Sequence, residues 1–119
     1  EAFRDLDELE MMPIAPYGEP NYWLSCVTIN PECEVRPKAL LDYLAAKHIE
    51  GRAIWKPMHL QPVFKGSPFF NHNPEEPSVS EDIFTRGLCL PSDTKMTDAD
   101  LDRIVTRINW FFGAASSRY

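Results

Sequence analysis

A chain of 119 residues has the length of one domain, and its 44% of hydrophobic residues is enough to bury a core. The net charge of −6, with twelve scattered Lys and Arg, excludes the basic face that nucleic acid or an anionic membrane requires. Three cysteines without a closely spaced pair fit neither a disulfide framework nor a zinc site, and no apolar run reaches the ~18 residues of a membrane span. We therefore expect a cytoplasmic protein that binds no metal, nucleic acid or membrane.

The first nine residues predict a helix that has lost its front half. Phe3, Leu6 and Leu9 recur at every third position, as on one face of a helix. The chain opens without an initiator Met and without an N-cap, which would leave backbone amides unpaired. We expect residues 1–9 to be the end of a truncated interdomain helix.

The next elements follow from spacing and from prolines. Residues 11–20 form a proline-punctuated connector, and residues 22–29, rich in aromatic and β-branched side chains, predict a central strand. A helix is expected from Pro37 to about residue 47, with its leucines on the sheet, and a short strand at 52–55.

The second half begins with a long irregular stretch. Five prolines between residues 56 and 78 predict a loop, and loops of such length in compact domains are often binding loops. A short helix at 80–86 should end at Gly87, and a brief strand at 88–90 should stop at Pro91.

The last element is a helix that starts near Thr97, with Asp100 in a variant of the capping box. Residues 113–119 are expected to be a frayed tail. The apolar face of this helix is predicted to comprise Leu101, Ile104, Val105, Ile108, Phe111 and Phe112.

The element order predicts an α/β protein of the two-layer α+β kind, with a three- to four-stranded sheet and helices packed on one face. One run of this chain, residues 52–64, is typical of ligand contact. It sets cationic and hydrogen-bonding side chains on a stiff segment between Pro57 and Pro62, where Arg52 and Lys56 could meet phosphate oxygens. From the residues alone, a loop pinned to the core by its apolar side chains is an equally good interpretation.

Several motifs together resemble the DegT/DnrJ/EryC1/StrS family of sugar aminotransferases. The run Trp-Lys-Pro-Met-His at 55–59 is the most specific of them, and one departure is Gly51-Arg52-Ala53, where Ser-Arg-Pro is usual. The matching segments follow in the family's order over nearly the whole chain, at residues 21–26, 49–52, 55–64, 87–92, 96–98 and 102–104.

The resemblance implies the C-terminal small domain of an aspartate-aminotransferase-type fold, within a homodimer that uses pyridoxal phosphate. It implies amino transfer from an amino acid, glutamate above all, to a nucleotide-linked 4-keto-6-deoxy sugar. The substrate-binding residues would be Arg52, Trp55, Lys56 and His59, on a substrate-facing loop that spans 56–78.

The resemblance also implies that the Schiff-base lysine lies in a missing N-terminal domain. This chain would then contain no catalytic and no cofactor-binding residue and would be inactive alone. Two alternatives stay open: a free-standing ligand-binding or dimerisation module, and a related dehydratase or 3-aminotransferase.

Overall fold

The computed structural model describes residues 2–116, with side chains as far as residue 113. Its centre is a four-stranded, fully antiparallel sheet in the order β1-β2-β4-β3. The strands are β1 (Leu9–Met11), β2 (Ser25–Ile29), β3 (Arg52–Ala53) and β4 (Gly87–Leu90), and the helices are α1 (Pro37–Ala45), α2 (Val79–Arg86) and α3 (Asp98–Ser116). The predicted fold class, a small sheet with a helical layer, is confirmed.

One face of the sheet carries the hydrophobic core. Val27 pairs with Leu88, and Leu9 pairs with Ile29, so these side chains point the same way. The core helices cover them with leucine, isoleucine and phenylalanine side chains. The fully buried members of this core are Val27, Ile29, Leu40, Leu44, Leu88, Ile108 and Phe112. Burying such side chains contributes ~1.5–3 kcal/mol each, so this face supplies most of the stability.

Helices α1 and α3 pack together over that face. Helix α1 begins with Pro37 at its first position and buries Leu40 and Leu44, as predicted. Helix α3 buries Ile104, Ile108 and Phe112, whereas Leu101 is exposed, so the predicted apolar face begins one turn later than expected. The predicted cap is present, because the Asp100 amide donates to the Thr97 hydroxyl and the Thr97 amide donates to the Asp100 carboxylate.

Helix α2 runs into β4 without a connecting residue. Gly87 is both the C-cap of α2 and the first residue of β4, and it has extended backbone angles rather than a left-handed cap. A Cβ at this glycine would lie 2.4 Å from the Ile83 carbonyl oxygen and 2.7 Å from an Ile54 side-chain carbon. Only glycine therefore fits the junction without movement of its neighbours.

The chain termini and strand lengths differ from the predictions. Residues 2–8 form turns, closed by amides of Leu6 and Leu9 that donate to carbonyls three residues back, so the helix predicted for 1–9 is wrong there. A three-residue apolar spacing suits such turns as well as it suits a helix. Residues 113–116 continue α3 rather than fraying, and residues 1 and 117–119 lie outside the described part.

The predicted strands at 22–29 and 52–55 are shorter in the structure. Tyr22 has a φ of 53°, in the left-handed region, so strand β2 starts only at Ser25. Strand β3 ends at Ala53, and the irregular stretch that follows contains two single-turn 3-10 helices, Met58–Leu60 and Pro62–Phe64.

Candidate functional site

The predicted ligand-binding run begins at Arg52, whose side chain lies on the second face of the sheet, opposite the core. Arg52 pairs with Cys89, which pairs with Cys26, so three neighbouring strands present these side chains in one row on this face. Trp55, Lys56 and His59 follow where the chain leaves β3. The structure thus places all four predicted residues on one continuous segment at the edge of the second face.

Arg52 projects from the edge strand into solvent. Its guanidinium donates from Nε and Nη2 to one carboxylate oxygen of Glu50, at 3.1 and 2.8 Å. Both side chains are 76% exposed, so solvent screens this pair and it contributes little to stability. A phosphate group could take the place of Glu50, because a guanidinium binds either anion through the same planar fork.

Trp55 contacts a second tryptophan, Trp23, which lies just before strand β2. The ring centroids of Trp55 and Trp23 lie 6.2 Å apart with the planes tilted by 37°. Trp55 is 60% exposed and Trp23 is 69% exposed. The Ser92 hydroxyl donates to the Trp23 carbonyl and fixes that residue's backbone. The pair forms an exposed aromatic surface beside Arg52.

An open groove of about 650 Å³ continues from this aromatic pair. The connector between β1 and β2 folds over the start of β2 and supplies its wall, with Met11, Met12, Ile14 and Tyr22 beside Trp23. The wall is mostly apolar. The groove and the predicted ligand-binding run therefore meet at the two tryptophans.

Lys56 is exposed, and its backbone carbonyl, rather than its ammonium group, accepts a hydrogen bond within the loop. The Gln61 side-chain amide donates to that carbonyl at 3.2 Å, which fastens the first 3-10 turn to the chain before it. Gln61 is thereby used in the loop itself. The Lys56 ammonium group is left facing solvent at the edge of the second face.

His59 is directed inward, unlike the other three. Its side chain is 17% exposed, its ring stacks on Phe69 with centroids 3.7 Å apart, and its Nε2 lies 3.3 Å from an Oε1 of Glu81. Nε2 is shielded from solvent, and its contact with Glu81 does not meet the geometry of a hydrogen bond. The histidine ties the loop to the first turn of α2.

Glu81 is itself fixed by a capping box. The Ser78 backbone amide donates to Glu81 Oε2 at 2.9 Å, and the Glu81 amide donates back to the Ser78 hydroxyl. Hydrogen bonds from the Ser78 backbone and hydroxyl, together with the nearby His59 ring, lower the pKa of the Glu81 carboxyl below its ordinary value. Glu81 is therefore a carboxylate at neutral pH.

One of the two thiols in the row with Arg52, that of Cys89, is made unreactive by its surroundings. Cys26 Sγ and Cys89 Sγ lie 3.6 Å apart. Burial, together with the hydrogen bond to Cys26, raises the pKa of the Cys89 thiol to about 11. Among residues 2–116, no group of three His, Cys, Asp or Glu side chains is arranged to hold a metal ion, and no helix is long and apolar enough to cross a membrane.

Trp23 and Glu81 are the two site residues that sequence reasoning missed. Trp23 was assigned to the interior of a strand, and only the left-handed Tyr22 turns it outward. The pattern Ser78-x-x-Glu81 is a regular capping-box signal, yet nothing in it predicts the contact with a histidine 22 residues earlier.

Solved structures resemble the fold. The aminotransferase TlmJ from Streptoalloteichus hindustanus aligns over 97% of this chain and 29% of its own, with a TM-score of 0.74 and 18% identity. A DegT DnrJ EryC1 StrS aminotransferase from Brucella abortus aligns over 92% of this chain and 27% of its own, with a TM-score of 0.71 and 23% identity. Likeness at these identities concerns the fold of this part of each molecule.

Sequence relatives extend the likeness. EpsN of Bacillus subtilis (strain 168), assigned as a pyridoxal phosphate-dependent aminotransferase, is 38% identical over 104 residues, which make up 87% of this chain and 26% of EpsN. GDP-perosamine synthase of Vibrio cholerae is 28% identical over 112 residues, 88% of this chain and 29% of that protein. The chain thus spans little more than a quarter of the length of these relatives.

The model of the DegT/DnrJ/EryC1/StrS aminotransferase family matches residues 1–109, nearly the whole chain. With the same motifs, the same fold and a relative at 38% identity, the match is not confined to one element. The chain belongs to the DegT/DnrJ/EryC1/StrS aminotransferase family.

Proposed function

We propose that this chain forms one wall of the substrate cleft of a pyridoxal-phosphate-dependent aminotransferase acting on a nucleotide-linked 4-keto-6-deoxy sugar. An amino acid, with glutamate as the expected donor, would supply the amino group. The proposal rests above all on one observation: a family member's chain exposes a guanidinium, an ammonium group and Trp55 on a single segment, and Trp55 meets Trp23 at the edge of an apolar groove.

Each of the four residues has a distinct role in this proposal. Arg52 and Lys56 bind phosphate oxygens, Arg52 through its fork and Lys56 as a point charge. Trp55 supplies an apolar surface, and His59 contacts the sugar. The names of two relatives, the GDP-perosamine synthases of Caulobacter vibrioides and Vibrio cholerae, support a nucleotide-linked sugar as the substrate class.

The residues of this chain do not fit the role of holding the cofactor. A Schiff-base lysine needs a sheltered amine, because a desolvated lysine loses its proton more readily and becomes a nucleophile. The five lysines are all exposed, at positions 38, 47, 56, 65 and 95. We therefore propose that the reacting lysine belongs to another part of a cytoplasmic, homodimeric enzyme, and that this chain alone does not catalyse the reaction.

Replacing Arg52 in the intact enzyme tests the proposed cleft wall. We expect Arg52→Ala to raise KM for the sugar nucleotide by ~10- to 150-fold, since loss of a charge-assisted hydrogen bond costs about 1.5–3 kcal/mol. Steady-state kinetics measure this, and kcat should change little. Arg107→Ala, an exposed arginine on α3, is the matched control. Equal KM values for wild type, Arg52→Ala and Arg107→Ala would contradict the proposal.

A further inference from the structure

The contact between His59 and Glu81 assigns a role to a residue outside the ligand-binding run. Glu81 lies on α2, more than twenty positions along the chain from His59, yet the two side chains meet at 3.3 Å. Both are largely withdrawn from solvent, with 17% of the histidine side chain and 31% of the glutamate side chain exposed. Two elements are thus joined through one polar contact.

Each partner in this contact is restrained from a second direction. Glu81 is held at the start of α2 by the amide and hydroxyl of Ser78, at 2.9 and 3.1 Å from its Oε2. The His59 ring is held flat by Phe69, whose plane is inclined to it by only 15°. The carboxylate therefore has a fixed place, and the imidazole can rotate only in the plane of that stack.

The restraint decides which ring nitrogen of His59 is available. Nε2 is shielded from solvent and faces the Glu81 carboxylate, so a ligand in the cleft cannot reach it. In a neutral imidazole, a nitrogen that faces a carboxylate carries the proton, and the other nitrogen carries the lone pair. Nδ1 would then accept hydrogen bonds and could not donate them.

We propose that Glu81 is a positioning residue: it keeps the proton of His59 on Nε2, so that Nδ1 accepts a hydrogen bond from a sugar hydroxyl. A phosphate oxygen has no proton to donate, so it is not the group that His59 recognises. This inference rests on the proposed function, and it divides the cleft wall into a phosphate-binding part at Arg52 and Lys56 and a hydroxyl-binding part at His59.

A close contact that is not yet a regular hydrogen bond is consistent with a site that tightens on binding. Hydrogen bonds in ligand-free sites are often long or poorly aligned and become regular when the substrate is in place. A hydroxyl bound at Nδ1 favours the same proton location, so each contact strengthens the other.

Nuclear magnetic resonance on this chain tests the positioning role. Glu81→Gln removes the charge and keeps the capping box, since glutamine serves at the same position. We expect the neutral His59 ring to change from the Nε2-protonated tautomer to a mixture, which its ring nitrogen shifts would show. His48 and His72 are internal controls, and Glu75→Gln is the control for loss of an acidic residue, taken from the loop that carries His59. An unchanged tautomer of His59 in Glu81→Gln would overturn the inference.

Kinetics of the intact enzyme test the link to the substrate. Glu81→Gln should raise KM for the sugar nucleotide roughly three- to tenfold, with kcat within about twofold, because one hydrogen bond is weakened. Glu75→Gln should leave both constants unchanged. If His59→Ala leaves KM unaltered while Glu81→Gln still changes the tautomer, the substrate contact of His59 is wrong, and the hydroxyl-acceptor role is wrong with it. Ser78→Ala separates loss of the helix cap from loss of the charge, since it weakens the cap of α2 and retains the Glu81 carboxylate.

Discussion

At the scale of single residues, burial sets the chemistry of the Cys89 thiol, which lies in the row with Arg52. Cys89 is only 3% exposed, and its thiolate form is disfavoured because the surroundings cannot solvate the charge. Thiolates, not thiols, react with alkylating reagents. Cys89 thus lies beside the cationic Arg52, where a reactive cysteine could be expected, but its thiol is not readily ionised.

Alkylation rates should show this difference. We expect iodoacetamide at pH 8 to modify Cys89 at least about tenfold more slowly than the half-buried Cys33, because Cys89 combines a raised pKa with a closed surface. Peptide mapping by mass spectrometry over time measures both rates. In urea the two rates should become similar, and similar rates in the native chain would contradict this assignment.

Sequence reasoning was most reliable where a single residue type carries the signal. Leu40 and Leu44 were correctly placed in the core, since leucines at helical spacing form one apolar face that is stable only when buried. His59 was correctly placed on the loop, but its inward direction depends on Glu81, which only tertiary structure brings near. A contact between two polar residues that are far apart in the sequence produces no repeating pattern from which it could be predicted.

At the scale of secondary-structure elements, the direct junction of α2 and β4 connects the loop to the sheet. Helix α2 contributes Glu81 to the site at one end and becomes β4 at the other, in the middle of the sheet. Arg86, in its last turn, donates to the Ile29 carbonyl and pairs with Asp82, and this joins α2 to β2 as well. A rotation of α2 would therefore disturb the site and the core together.

Gly87→Ala should be strongly destabilising for this reason. The new Cβ would lie 2.4 Å from the Ile83 carbonyl oxygen, a backbone atom that cannot move without shifting the helix. We expect a loss of ~1–3 kcal/mol in the free energy of unfolding, measured by urea titration. Gly113→Ala in α3 is the matched control, since a Cβ there meets nothing within 4 Å and alanine favours the helix. A stability of Gly87→Ala equal to that of wild type would contradict the crowding at this junction.

Element types were predictable, but element boundaries were not. The helices α1, α2 and α3 were expected from their caps and apolar spacing, and these three are present within a few residues of their predicted bounds. The strands were expected to be longer, because a run of β-branched and aromatic residues does not reveal the left-handed Tyr22 that interrupts it. The predicted helix at 1–9 was wrong, since spacing at three residues does not separate a helix from successive turns.

At the scale of the whole molecule, three carboxylates make the free energy of unfolding depend on pH in the acid range. The pKa of Glu81 lies below its ordinary value of 4.5, mainly because the Ser78 backbone donates to it. The pKa of Asp82 lies below 3.8 because Arg86 donates to it, and the pKa of Asp100 lies below 3.8 because Thr97 does. A lowered pKa in the folded state means that the unfolded chain binds protons first as the pH falls.

The stabilisation from these groups is therefore complete above the ordinary values and is lost as the pH falls through the lowered ones. We expect the urea midpoint to be level between pH 6 and pH 7 and to fall below about pH 4.5. The double variant Asp82→Asn with Asp100→Asn should show a shallower fall, and Lys38→Ala, at an exposed pair on α1, should leave the slope unchanged. An acid dependence as steep in the double variant as in wild type would exclude these two groups as its source.

Both edge strands of the sheet are short, and this limits how two copies of the molecule can associate. Its outer strands are β1, three residues long and followed closely by Pro13, and β3, two residues long and carrying the charged Arg52. Short, charged or proline-bordered margins give a neighbouring chain too few free amides and carbonyls to pair with. Association between copies must then use side chains rather than a continued sheet, which protects a chain with so many exposed aromatic residues from growing into fibrils.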